Sequence, residues 1–152
     1  MALDTMDRRL LAALQKKGRM SNADLAEQVN LSASACHRRV QRLESEGYIQ
    51  GYVALLDPRK MEVPATVFVE ITLSTQADGV LEAFEAAVTR IPDVLECHLT
   101  AGKADYILKI VAEDTEDFAR IHRQYLTRLP GVAQMQSSFT LRTVFQTTAL
   151  PV

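Results

Sequence analysis

The chain has 152 residues, long enough for one ordinary domain or two small ones, each burying a modest core. Its 47% hydrophobic and 24% charged residues exclude a disordered chain. The longest apolar runs fall far short of the roughly 18 residues a membrane helix needs, and the opening MALDTMDRR has no signal-peptide core, so the expected location is the cytoplasm. The net charge of -2 hides an asymmetry: residues 1–60 carry 10 Lys/Arg against 7 Asp/Glu, and residues 61–152 carry 7 against 12. Two domains with different partners would divide charge this way, although chance scatter of surface charge would also serve.

Three helix starts open the chain. Asp4 can cap a helix with Asp7 at its third position, Met6, Leu10 and Leu14 form one stripe, and Gly18 stops the run. Ser21 and Asp24 form a second capping pattern ahead of Leu25 and Val29. A third helix starts at Ser32, with Cys36, Val40 and Leu43 on one face and Gly47 at its end. Asn30 and Leu31 leave room only for a tight turn, so the second and third helices read as a helix-turn-helix. Ser34, His37, Arg38, Gln41 and Arg42 lie away from the apolar stripe, with Arg39 at its margin and Ser32 at the helix start. A short Ser lets the backbone approach a duplex, Arg38 can reach guanine edges or a phosphate, and Arg42 can reach phosphate further along. His37 has no second ligand at i+4, so no metal site is expected.

IQGYVALLDPRK then reads as a strand and linker ended by Pro58. From Ala65 the order is strand, helix, strand, strand, helix, strand. VFVEITL sends Val67, Val69, Ile71 and Leu73 one way and Phe68, Glu70 and Thr72 the other. The helices carry Leu81, Phe84 and Val88, then Phe118, Ile121, Tyr125 and Leu129; VLECHLT, DYILKIVA and SSFTLRTVF read as strands. VTRIPDV (88–94) and LTRLPGV (126–132) echo one another, each ending a helix, turning at proline and entering a strand. The pattern predicts an α+β protein: a winged-helix-like helix-turn-helix domain at 1–50, a strand and hinge linker at 51–64, and a ferredoxin-like βαββαβ domain at 65–152. The open face of such a sheet, through Phe68, Phe139 and Leu141, is expected to need a partner, which would also pair two recognition helices on a near-palindromic operator.

LDTMDRRLLAALQKKGRMSNADLAEQVNLS, RRVQRLESEGYIQGYVALLDP, TAGKADYILKI and TRLPGV together resemble the leucine-responsive/asparagine-operon (Lrp/AsnC, feast/famine) regulators, from about Leu3 to Phe145. The resemblance implies a RAM domain (regulation of amino acid metabolism) after the hinge, dimers that build larger assemblies such as an octamer of four dimers, and control by an amino acid. It also implies an effector site between dimers at the GxxDY-like hairpin, here Thr100, Ala101, Gly102, Asp105 and Tyr106, completed by Gln136, Ser137 and Ser138. Asp105 would pair with an α-ammonium, and Gly102 would let backbone N–H groups approach an α-carboxylate. Ala101 stands where the family often has Ser or Thr, and Glu62 near where it usually has a glycine. No cofactor is expected. A DNA-wrapping architectural protein without ligand control is the alternative. An enzyme is not expected, because no GxSxG, HExxH, P-loop or dinucleotide glycine pattern occurs and His98 and His122 lack evident catalytic partners. Cys36 and Cys97, far apart and without ligand spacing, are expected as free thiols.

Overall fold

The computed structural model describes residues 2–152, which form two units: residues up to Leu55 together with Phe145–Val152, and Leu56–Val144. The last eight residues, Phe145–Val152, group with the helical unit.

The first unit holds α1 (Thr5–Lys16), α2 (Asn22–Val29) and α3 (Ala33–Ser45). Each begins at a side-chain cap. Asp4 and Asp7 form a reciprocal capping box, the Ser21 hydroxyl accepts from the Asp24 N–H, and the Ser32 hydroxyl accepts from the Ala35 N–H. Asn30 ends α2 in the left-handed region (φ 58°), a conformation Asn tolerates well, and this turns the chain within two residues toward α3. Leu10, Leu25, Val29, Cys36 and Leu43 close the core. The tail is clasped to α1 by the Gln15 carboxamide, whose nitrogen donates to the Leu150 carbonyl (3.0 Å) and whose oxygen accepts from the Leu150 N–H (2.6 Å).

The segment after Tyr48 is not a strand. A ladder needs a neighbour, and this segment has none among the described residues, leaving Val53, Leu55 and Leu56 exposed. Beyond it Glu62 adopts φ 61°, the left-handed region that costs an L-residue with a Cβ about 1–2 kcal/mol. The glycine that family resemblance places near here would carry no such cost. Glu62→Gly is accordingly expected to leave the fold intact and raise stability by up to about 1 kcal/mol, measured by urea unfolding, the gain being reduced by the greater freedom of glycine in the unfolded chain.

The second unit holds β1 (Ala65–Leu73), α4 (Asp78–Val88), β2 (Val94–Leu99), β3 (Tyr106–Ala112), α5 (Thr115–Gln124), a 3-10 turn at Leu126–Arg128, and β4 (Val132–Phe139). The antiparallel sheet has the order β2-β3-β1-β4. Val67, Val69, Ile71 and Leu73 of β1 and Tyr106, Leu108, Ile110 and Ala112 of β3 pack against Phe84, Val88, Phe118 and Ile121 of the helices.

Register corrects two expectations about the last strand. It runs over 132–139 and ends before the alternating residues 140–145, which extend past the end of the ladder. Phe139 pairs with Val67, a core residue, so it lies on the helix-covered face, where its ring meets Phe118 edge-on at 5.2 Å. Phe68 does lie on the open face, 40% exposed, opposite Lys109 and Ser138.

Candidate DNA and effector sites

The outward side of α3 is shaped by ion pairs to α1. Ser32, Ser34, His37, Arg38 and Gln41 are exposed. Arg39 and Arg42 turn back: Arg39 Nη1 donates to Asp4 Oδ2 (2.7 Å) and Asp7 Oδ1 (2.8 Å), and Arg42 Nη2 donates to Asp7 Oδ2 (2.5 Å). Asp7 is fully buried. Burial alone would push its carboxyl up, yet the Asp4 N–H and the Arg42 and Arg39 guanidiniums outweigh that and hold it below the usual carboxylate range. Of the five residues expected on the outward face, Ser34, His37, Arg38 and Gln41 point outward, while Arg42 and the marginal Arg39 tie α3 to α1. Ser32 spends its hydroxyl on the helix cap. A further clasp, from Asn22 Nδ2 to the Ala33 carbonyl at 2.9 Å, fixes the start of α3 against α2; a capping pattern gives no sign of it.

Asp105 sits at the end of the β2–β3 hairpin, 9% exposed. Its Oδ2 accepts from the Leu73 N–H and its Oδ1 from Gln76 Nε2, both at 2.7 Å. The carboxylate thus ties the hairpin to the end of β1, and Gln76 joins the site without having been legible in it. A carboxylate has about four acceptor positions, so two remain for a ligand. Thr100 is folded inward, its hydroxyl donating to the Ala104 carbonyl at 2.7 Å. Tyr106 belongs to the core: its ring lies 4.5 Å from Phe84 and its hydroxyl donates to Glu85 Oε1 at 2.6 Å. Burial, reinforced by the Glu85 carboxylate, pushes that phenol well above its ordinary range. Ala101 and Gly102 are exposed. A Cβ on Gly102 would meet nothing closer than Thr100 Oγ1 at 3.9 Å, and its φ lies outside the left-handed region. The chain's own packing leaves that position free for a side chain, so a requirement for glycine there would come from whatever approaches it from outside.

Gln136, Ser137 and Ser138 do not meet this hairpin within one chain. They pair with Glu70, Val69 and Phe68, so Gln136 and Ser138 face the open side and Ser137 the helix side. β4 is two strands away from β3, about 10 Å, and Ser138 lies about 13 Å further along the sheet than Asp105. A single amino acid cannot bridge that span inside one protomer.

The described residues hold no group of three or more His, Cys, Asp or Glu arranged to bind a metal, and no helix among them is long and apolar enough to cross a membrane. Both cysteines are free; burial pushes each thiol up, and at Cys97 the Glu85 carboxylate adds to it.

A capped helix-turn-helix in one unit and a ferredoxin-like α/β sandwich in the other define a one-chain DNA-binding regulator with a sensor domain. Residues 3–50 match the family model for a winged helix-turn-helix DNA-binding domain, and residues 66–150 match that of the Lrp/AsnC ligand-binding domain. The leucine-responsive regulatory protein of Salmonella typhimurium is 43% identical over 150 residues, covering 99% of this chain and 92% of the relative, and that of Escherichia coli K12 is 42% identical with the same coverage. A transcriptional regulator of Neisseria meningitidis, solved in complex with L-methionine, superposes with a TM-score of 0.94 at 36% identity, covering 99% of this chain and 97% of that one. An AsnC-family regulator of Agrobacterium tumefaciens gives 0.94 at 34%, covering 98% and 97%. The chain belongs to the Lrp/AsnC family: it is a transcriptional regulator that binds DNA through its helix-turn-helix, not an enzyme.

Proposed function

We propose that the protein recognises a near-palindromic operator as an assembly of dimers, an octamer of four dimers, and that an amino acid tunes its DNA affinity or assembly from the cytoplasm. The observation that carries the DNA reading is the division of α3. Arg39 and Arg42 are spent on Asp7, and this fixes Ser34, His37, Arg38 and Gln41 outward on a braced helix. Two such helices across a two-fold axis suit half-sites about one helical turn, roughly 34 Å, apart. The half-covered sheet with Phe68 on its open side supplies a surface for self-association.

Support for an amino-acid effector comes from the hairpin: a nearly buried carboxylate with acceptor capacity to spare, beside an exposed glycine whose freedom the chain itself does not use. The α-ammonium pairs with Asp105 and the α-carboxylate lies against the backbone at Gly102. A second dimer brings Gln136 and Ser138, which the first cannot bring. The Neisseria relative was solved with an amino acid, L-methionine, and this favours the same class of ligand here. Binding regulates only by favouring one assembly or DNA-binding state over another.

Arg38→Ala is expected to weaken binding to the protein's own promoter by about 10- to 100-fold, the worth of one good base-edge or charge-assisted contact, while leaving thermal stability unchanged. Fluorescence anisotropy against promoter and random duplex, across a salt series, measures it. Equal affinity for both duplexes with a steep salt slope would instead identify an architectural DNA-wrapping protein.

A further inference from the structure

The internal echo of the sequence has a use that DNA recognition and the hairpin leave unexplained. Its two copies, Thr89–Pro92 and Thr127–Pro130, follow the C-terminal ends of α4 and α5, and the fold brings them to one pocket of about 330 Å³. Arg90 and Arg128, the equivalent residues of the two copies, both line it, as do Ile91 and Leu129, the equivalent aliphatic residues one place further on. Ile91 and Leu129 are buried and form an apolar floor. Both arginines are exposed, and neither guanidinium has an ion-pair or hydrogen-bond partner among the described residues. The Tyr125 hydroxyl at the same pocket accepts from Gln124 Nε2 at 3.3 Å, and its own proton stays available to donate.

Charge balance narrows what such a pocket takes. The two helix C-termini contribute about half a negative charge each, so two guanidiniums leave roughly one unit of positive charge, enough for a monoanion. No Asp or Glu lines the pocket. Asp93, three residues beyond Arg90, interacts with Arg120 instead. An amino-acid zwitterion would bring its ammonium into a pocket whose net charge is already positive and whose lining holds no carboxylate to pair with it, so it is disfavoured relative to the same carboxylate without the ammonium. The floor in turn offers burial to a hydrocarbon chain, which inorganic anions lack.

We propose that this pocket binds a small aliphatic carboxylate without an ammonium group, its carboxylate between Arg90 and Arg128 and its chain against Ile91 and Leu129. It is a site separate from the hairpin, and it selects against the ligand class proposed for the hairpin.

The test is calorimetric titration of the full-length protein with 4-methyl-2-oxopentanoate, with leucine, which has the same carbon skeleton, and with sulfate. The variants are Arg90→Gln, Arg128→Gln and Asp105→Asn, each checked for folding by circular dichroism; the two arginines are exposed and unpaired, so their removal leaves packing untouched. The oxo acid is expected to bind once per chain, at least tenfold more weakly in either arginine variant and unchanged in Asp105→Asn. Leucine binding, if present, should follow Asp105 and ignore both arginines. Absence of oxo-acid binding, its loss in Asp105→Asn rather than in the arginine variants, or equally tight binding of sulfate would overturn the proposal.

Discussion

Asp7→Ala is expected to destabilise the helical unit by about 2–3 kcal/mol, lowering its melting midpoint by roughly 10–20 °C. Removing one partner from a buried ion pair commonly costs about 3–5 kcal/mol, because the other charge is left without compensation. Here Arg39 keeps its ion pair to Asp4, and Arg39 and Arg42 are each about 30% exposed, so water takes up part of the loss and the lower figure applies. The capping box of α1 disappears with the same change, since the Asp7 side chain accepts from the Asp4 N–H at 3.1 Å. The effect also has a pH sign. The Asp7 carboxyl is held below its unfolded value, so its contribution is complete above about pH 4 and is lost as pH falls through the lower folded value. Thermal melts of the wild type should therefore fall steeply below about pH 4, and those of Asp7→Ala should fall less. With Arg38 on α3 as the proposed DNA contact, DNA affinity is expected to decline in the variant as well, because Asp7 braces the helix that carries Arg38.

Why sequence reading found α1–α3 but not the ion pairs of two of their arginines follows from distance along the chain. Caps are local: Asp4 and Asp7, Ser21 and Asp24, and the Ser32 hydroxyl with the Ala35 N–H lie three residues apart, so their pattern is visible in the sequence. The Asp7 partners Arg39 and Arg42 lie 32 and 35 residues away, and on a helix wheel they are indistinguishable from arginines that reach for phosphate. The faces of β1 follow from period two and were legible. The end of β4 was not, because alternation persists through 140–145 although β1, its ladder partner, is exhausted at Ala65. Phe139 changes face for the same reason: which side of an alternating strand meets the helices depends on register with Val67, a tertiary fact. The hairpin at Asp105 was recognisable as a motif, while its local partners, Leu73 and Gln76, come from the far end of β1.

Asp105→Ala and Asp105→Asn should separate the two tasks that meet at this residue. Alanine leaves the Leu73 N–H buried with no acceptor, a penalty of about 1–3 kcal/mol, and also releases Gln76, so a total loss of about 2–3 kcal/mol is expected in urea unfolding. Asparagine keeps a carbonyl oxygen for the Leu73 N–H, and Gln76 can rotate its carboxamide to accept from the new NH2 group, so its loss should be nearer about 1 kcal/mol. The charge, however, is gone in both. If Asp105 holds an α-ammonium, an amino acid that stabilises the wild type by about 2.7 kcal/mol at a hundred times its Kd should lose most of that shift in Asp105→Asn, although the hairpin is still folded. If the carboxylate serves only to tie the hairpin to β1, Asp105→Asn should keep the full ligand shift on its slightly lower baseline, and the effector site must then be sought elsewhere. A thermal-shift screen of the twenty amino acids against wild type and both variants reads this directly, because the alanine variant reports the structural cost, the asparagine variant reports the charge, and the difference between them belongs to the ligand.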